Sequence, residues 1–395
     1  MSKIDFLNEH FIRNPYPAYS EIRDQDPVYR FLLPNGHYAW MITRYDDAVD
    51  VLNDTRFVTN PPFENHAQAE EPHKEIISRN LLSVNPADHR RLRRLIQKAF
   101  TPRMIERLRG RIEEISNELL DQVQDKGEMN LIEDYAFPLP IMVICEMLGV
   151  PIEDQDKFHE WSNVIMEGFN NPTFEEQSEA VMIAFVDYLQ DLIARRRSQL
   201  QEDLISDLLS VEDEGDILSE QELYALVFVL IIAGHETTVN LIGNGVLALL
   251  EHPEQKEKLQ LQPELILGAI EEMLRYNGPA EVSNIRWVTD DVEIRGKRIR
   301  KGEMLFISFA SADRDPEQFA DPDTFDITRA ANNHIAFGKG VHYCLGAPLA
   351  RLEGEIAISA LLRRMPGLRL KTASDDLAWR PGMIIRGVKE IPVLF

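Results

Sequence analysis

Cysteine is nearly missing from this chain of 395 residues: it holds two, Cys145 and Cys344. Two thiols cannot build a disulfide framework or a multi-thiolate zinc site. Basic charge is scarce as well, with 42 Lys and Arg against 66 Asp and Glu and a net charge of −24. That balance supplies no basic face for a phosphate backbone, which excludes nucleic acid as a partner. Long apolar runs are also lacking. The longest, Leu223 to Ala233, falls well short of the roughly 20 residues needed to span a bilayer. The first thirty residues are polar and Pro-rich around Asn14-Pro15-Tyr16-Pro17, with no basic start leading into an apolar stretch. No signal peptide and no membrane anchor are expected, and the reading is a soluble, cytoplasmic monomer. Repeats, low-complexity tracts and linkers are absent.

What the chain does have is bulk and pattern. With 44% hydrophobic residues it can bury a large core. Two β-type runs, Val28–Leu33 and His37–Ile42, flank the turn signal Pro34-Asn35-Gly36. From about residue 88 to 275 the pattern is mainly helical, with breaks at Thr101-Pro102, Asn171-Pro172 and His252-Pro253. A second β-rich stretch follows over Val282–Val288, Val292–Arg300 and Met304–Phe309. Helix returns from about 345 to 365, and Met383–Phe395 is β-like. The expectation is a mainly α protein with small β-sheets, one domain over 1–395, whose β-rich parts lie near 25–45, 282–310 and 383–395. Residues 57 to 86 lack periodicity and suggest a mobile lid over a substrate. Cys145 sits in an apolar helical pattern and reads as core.

Cys344 lies in Phe337-Gly338-Lys339-Gly340-Val341-His342-Tyr343-Cys344-Leu345-Gly346. A lone thiolate in a glycine-rich loop has one well-known use, axial ligation of haem iron. The glycines permit positive φ and let the backbone approach a flat ligand. The helix that starts at Ala347-Pro348 can aim amides at the sulfur.

Upstream, Ser219-Glu220-Gln221-Glu222 is a capping box. The helix it opens runs to about Glu251, roughly 30 residues or about 45 Å. Its first half is apolar on every face, so it is expected to be buried and central. The apolar run stops at Ala233-Gly234-His235-Glu236-Thr237-Thr238. A glycine, an acid and two alcohols suit a buried helix poorly, and such violations are expected at functional sites.

The pattern F-G-x-G-x-H-x-C-x-G resembles the haem-binding loop of the cytochrome P-450 family, with every fixed position filled. The resemblance covers essentially the whole chain and implies the single-domain fold of that family, with its long helix over a buried haem b. Cys344 would ligate the iron, framed by Phe337, Gly338 and Gly346. Ala233-Gly234-x-Glu236-Thr237-Thr238 matches the family's oxygen-side motif. There Thr237 would stabilise the oxygen species on the iron, Glu236 would deliver protons, and Gly234, beside Ala233, would leave space for dioxygen. His89 and Arg93, Arg286 and His342 match propionate-binding positions. Glu272-Met273-Leu274-Arg275 is the family's structural E-x-x-R pair. The usual third partner comes from P-x-R-F, but this chain reads Pro322-Asp323-Thr324-Phe325, with Arg329 as a possible substitute. In Ala312-Asp313-Arg314-Asp315, Asp313 replaces an Asn common in related chains, and the sequence gives no reason for it.

The resemblance also implies a haem-thiolate monooxygenase that inserts one oxygen atom of O2 into a C–H bond of a lipophilic small molecule. Macrolide and polyketide hydroxylases are the most similar in character. Low-specificity pocket candidates are Leu81, Leu82, Val229, Ile232, Val282, Ser283, Ile384 and Ile385. Because no reductase domain is fused, electrons would come from a ferredoxin or flavodoxin with its reductase. The basic stretch between Asp88 and Arg109 would dock that acidic donor. Two alternatives stand beside this reading: an H2O2-driven peroxygenase, which typically lacks the acid–alcohol pair, and a non-catalytic haem sensor or carrier, which needs neither that pair nor a docking face.

Overall fold

The computed structural model describes residues 4–33, 35–60, 80–154, 157, 158, 160, 161, 164 and 175–395. Most of the expected lid, Pro34 of the early turn and the Asn171-Pro172 break lie outside them. The chain divides into two compact units. One comprises Met1–Glu64, Asn117–Ala136 and Thr237–Phe395; the other comprises Asn65–Ser116 and Phe137–Glu236.

The first unit is built on a mixed sheet. Its strands are β1 (Val28–Leu32), β2 (Tyr38–Ile42), β3 (Phe57–Val58), β5 (Arg286–Val288) and β8 (Met304–Ile307), ordered β1-β2-β8-β5-β3. Only the β2–β8 pair is parallel, with Ala39 opposite Met304. Alternate residues go to opposite faces. Val28, Trp40, Ile42, Leu305 and Ile307 pack into one apolar cluster, while Tyr29, Phe31, Ala39, Met41 and Phe306 pack into another. Both faces being covered explains why these strands read as nearly continuous apolar runs. Smaller pairings complete the unit: β4 (Glu128–Asn130) with β10 (Pro392–Leu394) and β9 (Arg369–Leu370), and the hairpin of β6 (Val292–Ile294) with β7 (Lys297–Ile299). The β-like tail is thus a strand only at its end.

Five helices matter to the site: α1 (Tyr45–Asn53), α2 (Pro86–Ala99), α3 (Glu220–Glu251), α4 (Ile266–Asn277) and α5 (Ala347–Arg364). The capping box at the start of α3 forms, with Glu222 N–H donating to Ser219 Oγ at 3.3 Å and Ser219 N–H to Glu222 Oε2 at 2.8 Å. At the other end the His252-Pro253 step stops the helix after Glu251. By length and composition α3 could cross a membrane, but most of it is buried inside the fold. Glycines in its second half let neighbours come close. A Cβ at Gly243 would meet Ile132 at 2.6 Å, and one at Gly245 would meet Met273 at 2.7 Å.

The tail is fitted against α3 in the same way. A Cβ on Gly387 would lie 1.9 Å from Asn240 Oδ1, and Asn244 Nδ2 donates to the Arg386 carbonyl at 3.0 Å. Overpacking of this kind displaces a side chain or backbone. Gly387→Ala should therefore lower stability by about 1–3 kcal/mol, read as a shift in the midpoint of urea unfolding.

Candidate active site

Gly338 and Gly340 both adopt left-handed backbone, with φ of 69° and 71°. At Gly340 the need is also steric, since a Cβ there would lie 2.8 Å from the Leu52 carbonyl at the end of α1. Within the loop, Gly338 N–H donates to the Ile335 carbonyl at 2.8 Å and Cys344 N–H to the Phe337 carbonyl at 2.9 Å. Cys344 is exposed, and α5 begins three residues later behind Gly346. A Cβ built on Gly346 would lie 3.9 Å from Cys344 Sγ, so the sulfur stands close to the start of α5, whose dipole favours a thiolate. Cys145, in contrast, is buried in the second unit, and burial pushes its thiol up to about 12.

A second set of side chains, absent from the sequence reading, grips this loop. Glu271 accepts from Arg351 Nε at 2.6 Å and Nη2 at 2.8 Å, and His334 Nε2 lies 3.1 Å from it. Burial alone would raise the Glu271 carboxyl, but hydrogen bonds from Arg351 and His334 outweigh it and hold the value at about 2. Arg351 also donates to Tyr343 Oη at 3.2 Å and stacks over the Phe337 ring at 4.5 Å. The available signal was the doubled acid Glu271-Glu272, where the E-x-x-R pattern needs only one.

Glu272 and Arg275 form the expected pair at 2.8 Å, both side chains fully buried. Arg329 Nε donates to Glu272 Oε2 at 3.1 Å and its Nη2 to the Thr324 carbonyl at 3.0 Å. The Thr324 side chain thus leaves a gap in the pattern that Arg329 covers from five residues on.

Arg286, on β5, is buried, and its Nε has no hydrogen-bond partner among the described residues. Burial lowers its value to about 10. A buried guanidinium in that state calls for an anion, so the residue fits a bound carboxylate such as a haem propionate. His342 lies half-buried in the same loop as Cys344. Val282 packs in the apolar cluster with Phe6, Phe11 and Tyr19. Ser283 is committed to the backbone, its Oγ donating to the Asn284 carbonyl and accepting the Ile307 N–H. Ile384 is exposed and Ile385 half-buried, and both lie beside the 280–282 segment through the Ala280–Ile385 bridge and the Glu281 N–H bond to the Ile384 carbonyl at 2.9 Å.

In the second unit, Asn85 caps α2 by accepting from Ala87 and Asp88 N–H, each at 3.0 Å. One turn on, His89 is buried and Arg93 half-buried. Arg91 is tied to Asp216 and Glu222, and Lys98 to Asp213 at 2.7 Å, so part of this basic stretch is neutralised within the unit. Arg90, Arg103 and Arg107 are exposed. Leu81 is buried and Leu82 exposed. The helix α3 stays α-helical through its motif. Along it Val229 is buried, Ile232 half-buried and Ala233 exposed. A Cβ on Gly234 would come 3.1 Å from Ile144 Cδ1. His235, fully buried, sets its Nε2 3.1 Å from the Phe137 carbonyl. Glu236 is buried and Thr237 half-buried.

A lone exposed cysteine in a glycine-framed loop, with an acid–alcohol step on a long helix of an α-rich frame, matches the pattern of a haem-thiolate oxygenase. The cytochrome P450 family model matches residues 10–368, running through both units. The polyketide biosynthesis cytochrome P450 PksS of Bacillus subtilis is 42% identical, over 98% of this chain and 96% of its own. The monooxygenase PikC of Streptomyces venezuelae is 41% identical, over 98% and 92%. The solved PksS structure superposes with a TM-score of 0.94 at 41% identity, covering 99% of each chain. The chain belongs to the cytochrome P450 family, and it is a haem-containing monooxygenase.

Two outcomes follow from the geometry. Cys344→His should abolish the red-shifted Soret band that thiolate ligation gives the reduced, carbon-monoxide-bound protein. Arg286→Met should loosen haem while leaving the apoprotein at least as stable, by about 1 kcal/mol or more, because a buried unpaired charge is removed. That gain should not vary between about pH 6 and 8, since Arg286 stays charged below its value of about 10. Chemical unfolding of the apoprotein and haem transfer to an acceptor globin measure the two arms.

Proposed function

We propose that this P450 hydroxylates a lipophilic natural product of the polyketide type, using electrons from a separate ferredoxin or flavodoxin and its reductase. The observation that carries the reading is the exposed Cys344 thiol in its glycine-framed loop, combined with Glu236-Thr237 on α3. Haem, when bound, supplies the activation of dioxygen, which the thiolate assists by electron donation. The chain's own tasks are to hold and to deliver protons. Cys344 Sγ would be the iron ligand, and Arg286 and His342 would face the propionates, joined on the family pattern by His89 and Arg93. Glu236 would pass a proton from its carboxyl to Thr237 Oγ1, and the hydroxyl would present it to the reacting oxygen. Ala233 and Gly234, small and partly accessible, leave room beside them.

The substrate class is supported by the names of the relatives, PksS of polyketide biosynthesis and the monooxygenase PikC. The aliphatic candidates Leu81, Leu82, Val229, Ile232, Ile384 and Ile385 agree with it, whereas Val282 is taken up by an apolar cluster and the Ser283 hydroxyl by backbone bonds. Docking of an acidic donor would use the exposed Arg90, Arg103 and Arg107, because Arg91 and Lys98 already have acidic partners. The test is turnover with a surrogate redoxin–reductase pair on macrolides that shift the ferric spin state. Wild type should couple NADH consumption to product, whereas Thr237→Ala should keep consuming NADH but lose product by about 10-fold or more. Equal turnover with peroxide alone would sink the monooxygenase route, and binding with no turnover would favour a sensor.

A further inference from the structure

Asp313 holds a position of consequence in the structure. It is 1% exposed, just after the short helix Phe309–Ala312. Its Oδ1 accepts the Ile335 N–H at 2.8 Å. The Ile335 carbonyl accepts the Gly338 N–H, and the Phe337 carbonyl accepts the Cys344 N–H. A short relay of backbone bonds therefore connects the Asp313 carboxyl with the cysteine. The other end is fixed too, since Arg275 Nη1 donates to the Asp313 carbonyl at 3.0 Å.

The next amide is held by a ring nitrogen. Ala336 N–H donates to His334 Nδ1 at 3.2 Å, which leaves the ring proton on Nε2, facing Glu271. Protonating Asp313 would turn a charge-assisted bond to Ile335 into a neutral one, roughly half as strong. The charged and titratable groups facing Asp313 are Arg275 from α4, His334 from the loop approach and Tyr45 from α1.

We propose that Asp313 is a positioning residue for the cysteine loop, and that its grip on the Ile335 amide loosens on acidification. Burial pushes the Asp313 carboxyl up to about 7, against the pull of His334, the Ile335 N–H and Arg275, so it titrates where an ordinary carboxylate does not. Asparagine would accept the same N–H at every pH. The proposal rests on Cys344 being the haem ligand, and its test reads the backbone instead of turnover.

Hydrogen exchange of the holoenzyme is followed at Ile335 between about pH 6 and 8, corrected for intrinsic rates. In the wild type, protection at Ile335 should rise with pH by about 10-fold. Asp313→Asn should abolish that slope at Ile335 and leave exchange within α3 unchanged. A flat Ile335 profile in the wild type, or a slope surviving in Asp313→Asn, overturns the proposal. Thermal melts provide an independent arm. A carboxyl whose folded value is raised adds stability below its ordinary value that is lost as pH rises through about 7. The melting advantage of Asp313→Asn over wild type should therefore grow from about pH 5 to 7 and then level off, and a pH-independent difference counts against the idea. Should the Cys344 reading itself fail, the thiolate Soret band is absent whatever the exchange profile shows.

Discussion

The buried pair of Glu272 and Arg275 is what the cysteine side of this protein hangs on. Residues 313–339 contain no helix or strand, so their backbone groups need partners from elsewhere. The pair supplies several. Arg275 donates to the carbonyls of Asp313, Pro322 and Thr324, while Glu272 Oε1 accepts the Asp326 N–H at 3.0 Å. Arg329 and Asn332 close the remaining lone pairs of Glu272. Removing either partner would leave a charge in a fully buried place, typically at a cost of about 3–5 kcal/mol. Only a planar guanidinium can reach an acid and three carbonyls at once, which is why lysine is no substitute at Arg275.

Consecutive acids on α4 divide the labour. Successive helical residues point about 100° apart, so Glu272 enters the irregular segment while Glu271 turns toward α5 and the loop. There Arg351 is fixed between Glu271, Tyr343 and Phe337. Phe337 and Tyr343 are respectively the first residue of the glycine-framed loop and the one before Cys344. The loop is thus gripped at both ends from one helix. That arrangement leaves the thiol exposed while its backbone is tied down, as a preformed ligand site requires.

Much of this was legible from residue order. The bounds of α3 followed from a capping box and a proline, the loop from its glycines, and the small sheets from runs rich in β-branched and aromatic residues. Arg329 was reachable because Thr324 broke a pattern and another arginine stood nearby. Other features were not legible, for a shared reason. Spacing along a helix fixes which residues share a face but not what that face meets. Arg91 belongs to the basic stretch expected to dock an acidic donor, yet Asp216 and Glu222 bind it. Val282 and Ser283 read as pocket candidates, yet one fills an apolar cluster and the other's hydroxyl serves the backbone. Asp313 was visible as a departure, but its role needed the Ile335 N–H, 22 residues on, to be placed against it.

Arg286 and Glu272 show two solutions to the same problem. Both are ionisable groups buried in the first unit, and burial disfavours the charge of each. Glu272 is answered within the chain by two arginines, so that cluster can form as the protein folds. Burial lowers the value of Arg286 and its Nε has no partner among the described residues, so its unfavourable term persists until an anion arrives from outside. A group that binds the folded chain and not the unfolded one stabilises it by mass action. On the proposed haem reading, the stability that Arg286 withholds from the apoprotein would become affinity for the haem, and the pairing already completed at Glu272 would keep the cysteine loop in place to receive it.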